Sequence, residues 1–183
     1  MKPSQPLEAE HEAILVMLEI LARICDRLER REAVPKAHLP QILEFFHIFA
    51  DKCHHAKEEE FLFPAYQSAG IPNEGGPIGV MLSEHQMGRE AIAGMRRGLS
   101  SLGQEDSSSG QEFVSYARSY IQLLTAHIHK ENQILFPMGD VALSVSRQEE
   151  IMKEFDRLEE TRIGLGKHEE FHRLIETLEA EYL

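Results

Sequence analysis

Apolar residues recur along this chain at intervals of three and four. From about Pro6 to Arg31 they fall at Leu7, Ile14, Leu18, Leu21, Cys25 and Leu28, positions that a helix collects into one stripe. The same spacing runs from about Pro40 to Ala69, from Ile78 to Leu102 and from Gln111 to Met138. Between these stretches, "REAVPKAHLP", "AGIPNEGGP" and "GQEDSSSG" concentrate the residues that end helices. The β-branched alternation that would predict strands is absent. Four long helices with short connections make neighbours antiparallel, so the pattern predicts an up-down-up-down four-helix bundle. A fifth helix is predicted from near Ser146, where Ser146 and Glu149 read as a capping box. "RIGLGK" breaks it before a sixth, from about His168 to Tyr182. The expectation is one all-α domain over residues 1–183, with the bundle at about 6–138 and two appended helices at about 144–182.

Ionisable residues interrupt every stripe. His11 stands in the first and His85 in the third; the second carries His47, His54 and Glu58; the fourth carries Tyr120, His127 and Glu131. A lone histidine in a core is ordinarily a hydrogen-bonded core residue. Four helices that each insert one, two of them adding a glutamate one turn later, make a different pattern. A buried carboxylate is costly unless it is paired or bound to a cation, and Arg89 is the one basic residue on these seams. A metal would satisfy all six groups together.

The chain also repeats itself. "HHAKEEEFLFP", His54 to Pro64, aligns with "HIHKENQILFP", His127 to Pro137: His54 with His127, Lys57 with Lys130, Glu58 with Glu131, and Leu-Phe-Pro with itself. His11 pairs with His85, each preceded by glutamate. A histidine helix followed by an HxxxE helix, used twice, predicts a pseudo-two-fold site in which two carboxylates bridge two metals. His55, Glu59 and Glu60 align with Ile128, Asn132 and Gln133, so they read as a helix flank or solvated face; Lys57 also reads as surface. His55 stays open as a seventh ligand, because it lies only about 100° round the helix from His54. Leu62 and Phe63 are expected to plug the bundle below the site, and Pro64 and Pro137 to kink or end their helices. His47 and Tyr120 have two readings, as hydrogen-bond partners close to the metals or as a satisfied buried polar pair. Gly88, one turn from His85, either leaves room for a small ligand or serves helix packing.

Charge and composition narrow the partners. The formal net charge is −12 without a basic stripe, which argues against nucleic acid and anionic membranes. No apolar run is long enough to span a bilayer, and "MKPSQPLEAEHEAI" lacks a signal-peptide core, so a cytoplasmic location is expected. Cys25 and Cys53 are too few and too far apart for a disulfide framework and read as buried, inert thiols. Imidazole and carboxylate donors suit iron, with manganese and zinc ranked behind it, and nothing selects copper(I). "HEEFH", His168 to His172, fits a zinc-protease pattern, but no strands accompany it and only 11 residues follow, so it reads as a chance match. "EAEH" supplies one ExxH where ferritin-like proteins need two. The acidic amphipathic helices after residue 144 could cover the bundle or pair two chains, leaving monomer and homodimer both open.

His11, "HHAKEEEFLFP", His85 and "HIHKENQILFP" together resemble the hemerythrin-like (HHE cation-binding) family over about residues 6 to 138. That resemblance implies a bundle holding two iron ions as a non-haem, carboxylate-bridged centre, often with an oxo or hydroxo bridge. It implies small ligands such as dioxygen, hydrogen peroxide or nitric oxide, in oxygen sensing or oxidative and nitrosative stress. Oxygen carriers of the family have HxxxH on the third helix and HxxxxD on the fourth; here Arg89 follows His85 and the fourth helix has HxxxE. The set of four histidines and two carboxylates therefore looks more like iron-centre repair proteins and iron-sensing domains. A non-catalytic iron-binding, iron-sensing or repair module is the alternative expectation, and no catalytic residue is assigned.

Overall fold

The computed structural model describes residues 1–101, 108–164 and 166–183, and among these the chain is all-α. Helix α1 spans Ser4–Glu29, α2 residues 38–68, α3 Pro77–Ser101, α4 residues 108–142, α5 residues 145–163 and α6 Lys167–Tyr182. Helices α1 to α4 form the up-down-up-down bundle, and α5 and α6 are the two additional helices. No helix among the described residues is long and apolar enough to cross a membrane.

The predicted break "GQEDSSSG" falls partly outside the described residues; its last three positions already belong to α4. Helix α5 begins one residue before Ser146. Its N-cap is Ser144, whose hydroxyl accepts from the Arg147 backbone N–H at 3.3 Å, so the capping-box reading is corrected. Ser144 has the extended backbone that an N-cap needs, whereas Ser146 is already inside the helix.

The two prolines do not end their helices. Pro64 and Pro137 each sit in the first turn of an α-helical segment that continues a π-helical one, Glu58–Leu62 in α2 and Glu131–Leu135 in α4. The Phe63 N–H donates to the Glu58 carbonyl and the Phe136 N–H to the Glu131 carbonyl, each five residues back. The wider turn inserts one residue ahead of a proline that has no N–H to contribute, and the helix carries on. It also shifts the inward face by one position: Phe136 and Gly139 are buried, and Met138, expected on the seam, is 45% exposed. A longer π-helical stretch, Phe46–His55, underwinds α2 up to and including the adjacent His54 and His55.

The core falls into two apolar clusters with a polar layer between them. One contains Ile14, Leu18, Leu21, Phe45, Phe46, Phe49, Met95, Phe113 and Tyr120; the other contains Leu7, Leu62, Phe63, Tyr66, Ile78, Met81, Leu135 and Phe136. The expected plug of Leu62 and Phe63 is in place. The extra helices divide between the two ends: α5 adds Ile151 and Phe155 to the second cluster, and α6 adds Phe171, Ile175, Leu178 and Tyr182 to the first. Burying six such side chains offsets the ordering of the extension, at roughly 1.5–3 kcal/mol each.

Candidate metal centre

The polar layer gathers side chains from all four bundle helices. His11, His54, Glu58 and Glu131 present donor atoms within 4.8 Å of one another, and so do His55, Glu58, His85 and His127. Glu58 belongs to both groups: one oxygen is 3.5 Å from His54 Nε2 and the other 3.3 Å from His85 Nε2. Glu131 straddles them as well, 3.2 Å from His11 Nε2 and 3.3 Å from His127 Nε2. The i, i+4 spacing of His54 with Glu58 and of His127 with Glu131 puts each pair on one helix face, as the repeat predicted.

His55 is inside the layer. It is 3% exposed and its ring stacks on that of His85 at a centroid distance of 3.9 Å. The open reading of His55 is thereby narrowed to a donor group, and its helix-flank reading is corrected. Adjacent residues face one site here because α2 is underwound through Phe46–His55.

An outer ring orients the imidazoles. The Nδ1–H groups of four of them donate to oxygens: His11 to Asn132 at 2.7 Å, His54 to Glu10 at 2.8 Å, His85 to Glu59 at 2.7 Å and His127 to Glu84 at 2.9 Å. With Nδ1 as the donor, each Nε2 is the nitrogen left facing inward, the one able to offer its lone pair to a metal. Glu59 is thus no solvated flank, because the wide turn at Glu58–Leu62 brings its carboxylate under His85. Lys57 is not on the surface either: it is 1% exposed and donates to both Glu10 and Glu159. Its repeat partner Lys130 reaches only Glu84 and is 35% exposed. Glu60 does face solvent, paired with Arg162. Sequence reasoning passed over Glu10 and Glu84 as ring members, although the glutamate before each of His11 and His85 was the available signal.

Electrostatics mark the layer as built for cations. Burial, together with the facing Glu131, pushes the Glu58 carboxyl well above its ordinary value. Burial would raise Glu131 too, but His127 and His11 hold it well below. Burial and the nearby His11 bring His54 down to about 4, and burial beside His85 holds His55 well down. For His127 the effect of burial is outweighed by Glu131 and Glu84, which bring it to about 9. His11 Nε2, His54 Nε2, His55 Nδ1 and all four oxygens of Glu58 and Glu131 are shielded from solvent without a hydrogen-bond partner. Such atoms gathered in one layer fit metal ions, because burial without a hydrogen-bond partner carries a desolvation cost that a bound cation would offset. Two His/Glu clusters sharing carboxylates are the donor set of a non-haem di-iron centre.

The remaining candidates separate. Tyr120 is fully buried with an unpartnered hydroxyl against Phe46, so the satisfied-pair reading fails for it. His47 is partly exposed and lies 3.9 Å from Asp51, which in turn is 3.9 Å from His55 Nδ1. A Cβ at Gly88 would meet only the Tyr120 ring, at 3.5 Å. Both cysteines are buried free thiols, raised by burial to about 12, as expected of inert ones. From the "HEEFH" stretch, His168 lies against Cys53 at 3.5 Å, within a third group with Glu10 and Glu159, while His172 points to solvent. The Lys57 ammonium, bonded to both glutamates, already offsets part of the charge of that third group.

The family model described as the hemerythrin HHE cation binding domain matches residues 2–139. An uncharacterized protein of Mycobacterium tuberculosis and one of Mycobacterium bovis are each 21% identical over 160 residues, covering 87% of this chain and 62% of theirs. The chain thus spans less than two thirds of the length of these curated relatives. No solved structure matches it.

Proposed function

The chain belongs to the hemerythrin HHE cation-binding family, and from that premise we propose that it binds a di-iron pair and, through it, small oxidants: dioxygen, hydrogen peroxide or nitric oxide. His11 and His54 would hold one iron, His55, His85 and His127 the other, and Glu58 and Glu131 would be shared. The observation that carries this reading is the convergence of partnerless buried donor atoms between two apolar clusters. With His55 counted, the histidines number five, so the four-histidine argument against oxygen carriage no longer applies, although the positions differ from those of the carriers. Bound iron supplies redox change and open coordination positions. The chain's own residues do the rest. The outer-ring oxygens fix each imidazole's tautomer and angle. Phe136 stacks on His11 at 5.6 Å and Phe63 lies 5.9 Å from His85, so the donors sit in a dry layer closed to bulky reductants and substrates.

Metal analysis and optical spectra test this. Protein from iron-replete cells is expected to carry about two irons and near-UV charge-transfer bands that change on adding peroxide or nitric oxide. Iron-free, spectroscopically silent protein would overturn it.

A further inference from the structure

The internal repeat calls for two equal chains of contact, histidine to glutamate to lysine, one on each half of the site. His127, Glu84 and Lys130 form one, ending at a lysine that is 35% exposed. His54, Glu10 and Lys57 form the other, but there the lysine is 1% exposed and donates onward to Glu159, from the π-helical end of α5. Residue 159 lies beyond the stretch that matches the family model. Phe155, one turn earlier in α5, places its ring 5.7 Å from the Lys57 ammonium and closes it off from water.

We propose that Glu159 is a positioning residue for the iron held by His11 and His54, acting through Lys57 and Glu10 on His54; this rests on the di-iron reading above. A buried ammonium needs compensating charge. Were Glu10 its sole anionic partner, Lys57 would draw electron density from the carboxylate that receives the His54 Nδ1–H. Glu159 shares that load and leaves Glu10 a stronger acceptor, which makes His54 a more basic ligand. The extension thus acts on one half of the metal pair and leaves the other to the surface-exposed Lys130. Glu159 has two oxygens and is 39% exposed, so it reaches Lys57 from solvent without itself being buried.

The test uses the whole iron-loaded protein, reduced anaerobically with dithionite for release into excess bipyridine and left oxidised for the optical spectra. Glu159→Gln is expected to speed the loss of one iron of the two by about threefold to tenfold, a step below the ten- to hundredfold effect of residues that touch a ligand directly. The other iron leaves at the wild-type rate, the ferric charge-transfer bands shift, and Glu159→Asp restores both readouts. Arg162→Gln, which cuts the neighbouring exposed ion pair of α5 with Glu60, is expected to change neither. Equal effects of Glu159→Gln and Arg162→Gln would mean that Glu159 only docks the helix, and would overturn the inference. Unchanged release from Glu159→Gln, or loss of a third metal equivalent bound among Glu10, Cys53, Glu159 and His168, would overturn it too. Wild-type protein that holds no iron pair would instead defeat the underlying reading.

Discussion

Replacing Glu58 and Glu131 by Gln, one at a time, separates what the two carboxylates cost the metal-free fold from what they contribute to the loaded one. Both are 0% exposed and each lies between two imidazoles at 3.2–3.5 Å. The imidazoles differ. Burial keeps His54 neutral, at about 4, beside Glu58, whereas Glu131 faces His127, held up at about 9, and His11, also raised against the effect of burial. In the metal-free site the two carboxyls are therefore pushed in opposite directions, Glu58 up and Glu131 down. For Glu58, whose folded value lies above its unfolded 4.5, the penalty sets in above about pH 4.5 and grows as pH rises. For Glu131, whose folded value lies below 4.5, the contribution is present above that pH and fades as pH falls. Metal-free Glu58→Gln is expected to be neutral or up to about 2 kcal/mol more stable than wild type at pH 7, with the difference vanishing near pH 4. Metal-free Glu131→Gln is expected to lose about 2–4 kcal/mol, because His127, held up at about 9, and the raised His11 lose the carboxylate that faces them. In a chain this size each kcal/mol moves Tm by about 2–4 °C. Iron at a thousandfold excess over Kd adds about 4 kcal/mol to wild type, and both variants are expected to forfeit most of that gain. Calorimetric melts of metal-free and iron-loaded protein at pH 4.5 and 7 measure every one of these differences. If Glu58→Gln destabilised the metal-free protein as much as Glu131→Gln, the account of one compensated and one uncompensated carboxylate would be refuted.

Three further outcomes are expected. Lys57→Met leaves the buried Glu10 without its cation and should cost about 3–5 kcal/mol in urea unfolding, while Lys130→Met, at a half-open surface, should cost under about 1 kcal/mol; equal costs would contradict the burial argument. Gly139→Ala would set a methyl carbon 1.9 Å from Tyr66 Cζ and should lower stability by about 1–3 kcal/mol, whereas Gly88→Ala meets Tyr120 at an ordinary 3.5 Å and should raise it by up to about 1 kcal/mol through helix propensity; thermal melts distinguish the two. His55→Ile copies the residue of the other half, Ile128, which is itself 3% exposed, so the fold should survive while affinity for one metal of the two drops about ten- to hundredfold by titration; unchanged binding of both metals would exclude His55 from the ligand set.

How much of this was legible in the sequence depends on helix period. The 3.6-residue stripes located all six helices to within a few residues, and the doubled HxxxE with its two partner histidines located six of the seven inward side chains. What the stripes could not convey is where a helix departs from that period. The π-helical segments ending at His55 and starting at Glu58 and Glu131 each shift the inward face, and with it the placement of His55, Glu59 and Met138. Lys57 was misread for another reason. A lysine on a helix flank is ordinarily solvated, and here α5, far along the chain, closes over it with Phe155 and Glu159.

The repeat carried more than the ligands. Glu10 and Glu84 hold His54 and His127, Glu59 and Asn132 hold His85 and His11, and Lys57 and Lys130 back the two glutamates, so every member of the outer ring has a counterpart in the other half. An inherited two-fold arrangement would by itself give two like metal positions. Two departures from it fall on α2: a histidine at 55 opposite Ile128, and a lysine at 57 sealed by Glu159 opposite one that is open. One adds a third imidazole to one half; the other reaches the imidazole of the half that has only two. Small ligands need open positions, and the half with fewer histidines has more of them. The charged path from that half to the extension, through Lys57 and Glu159, would therefore run to the iron better placed to take a ligand, which would give the residues beyond the bundle a physical means of acting on it.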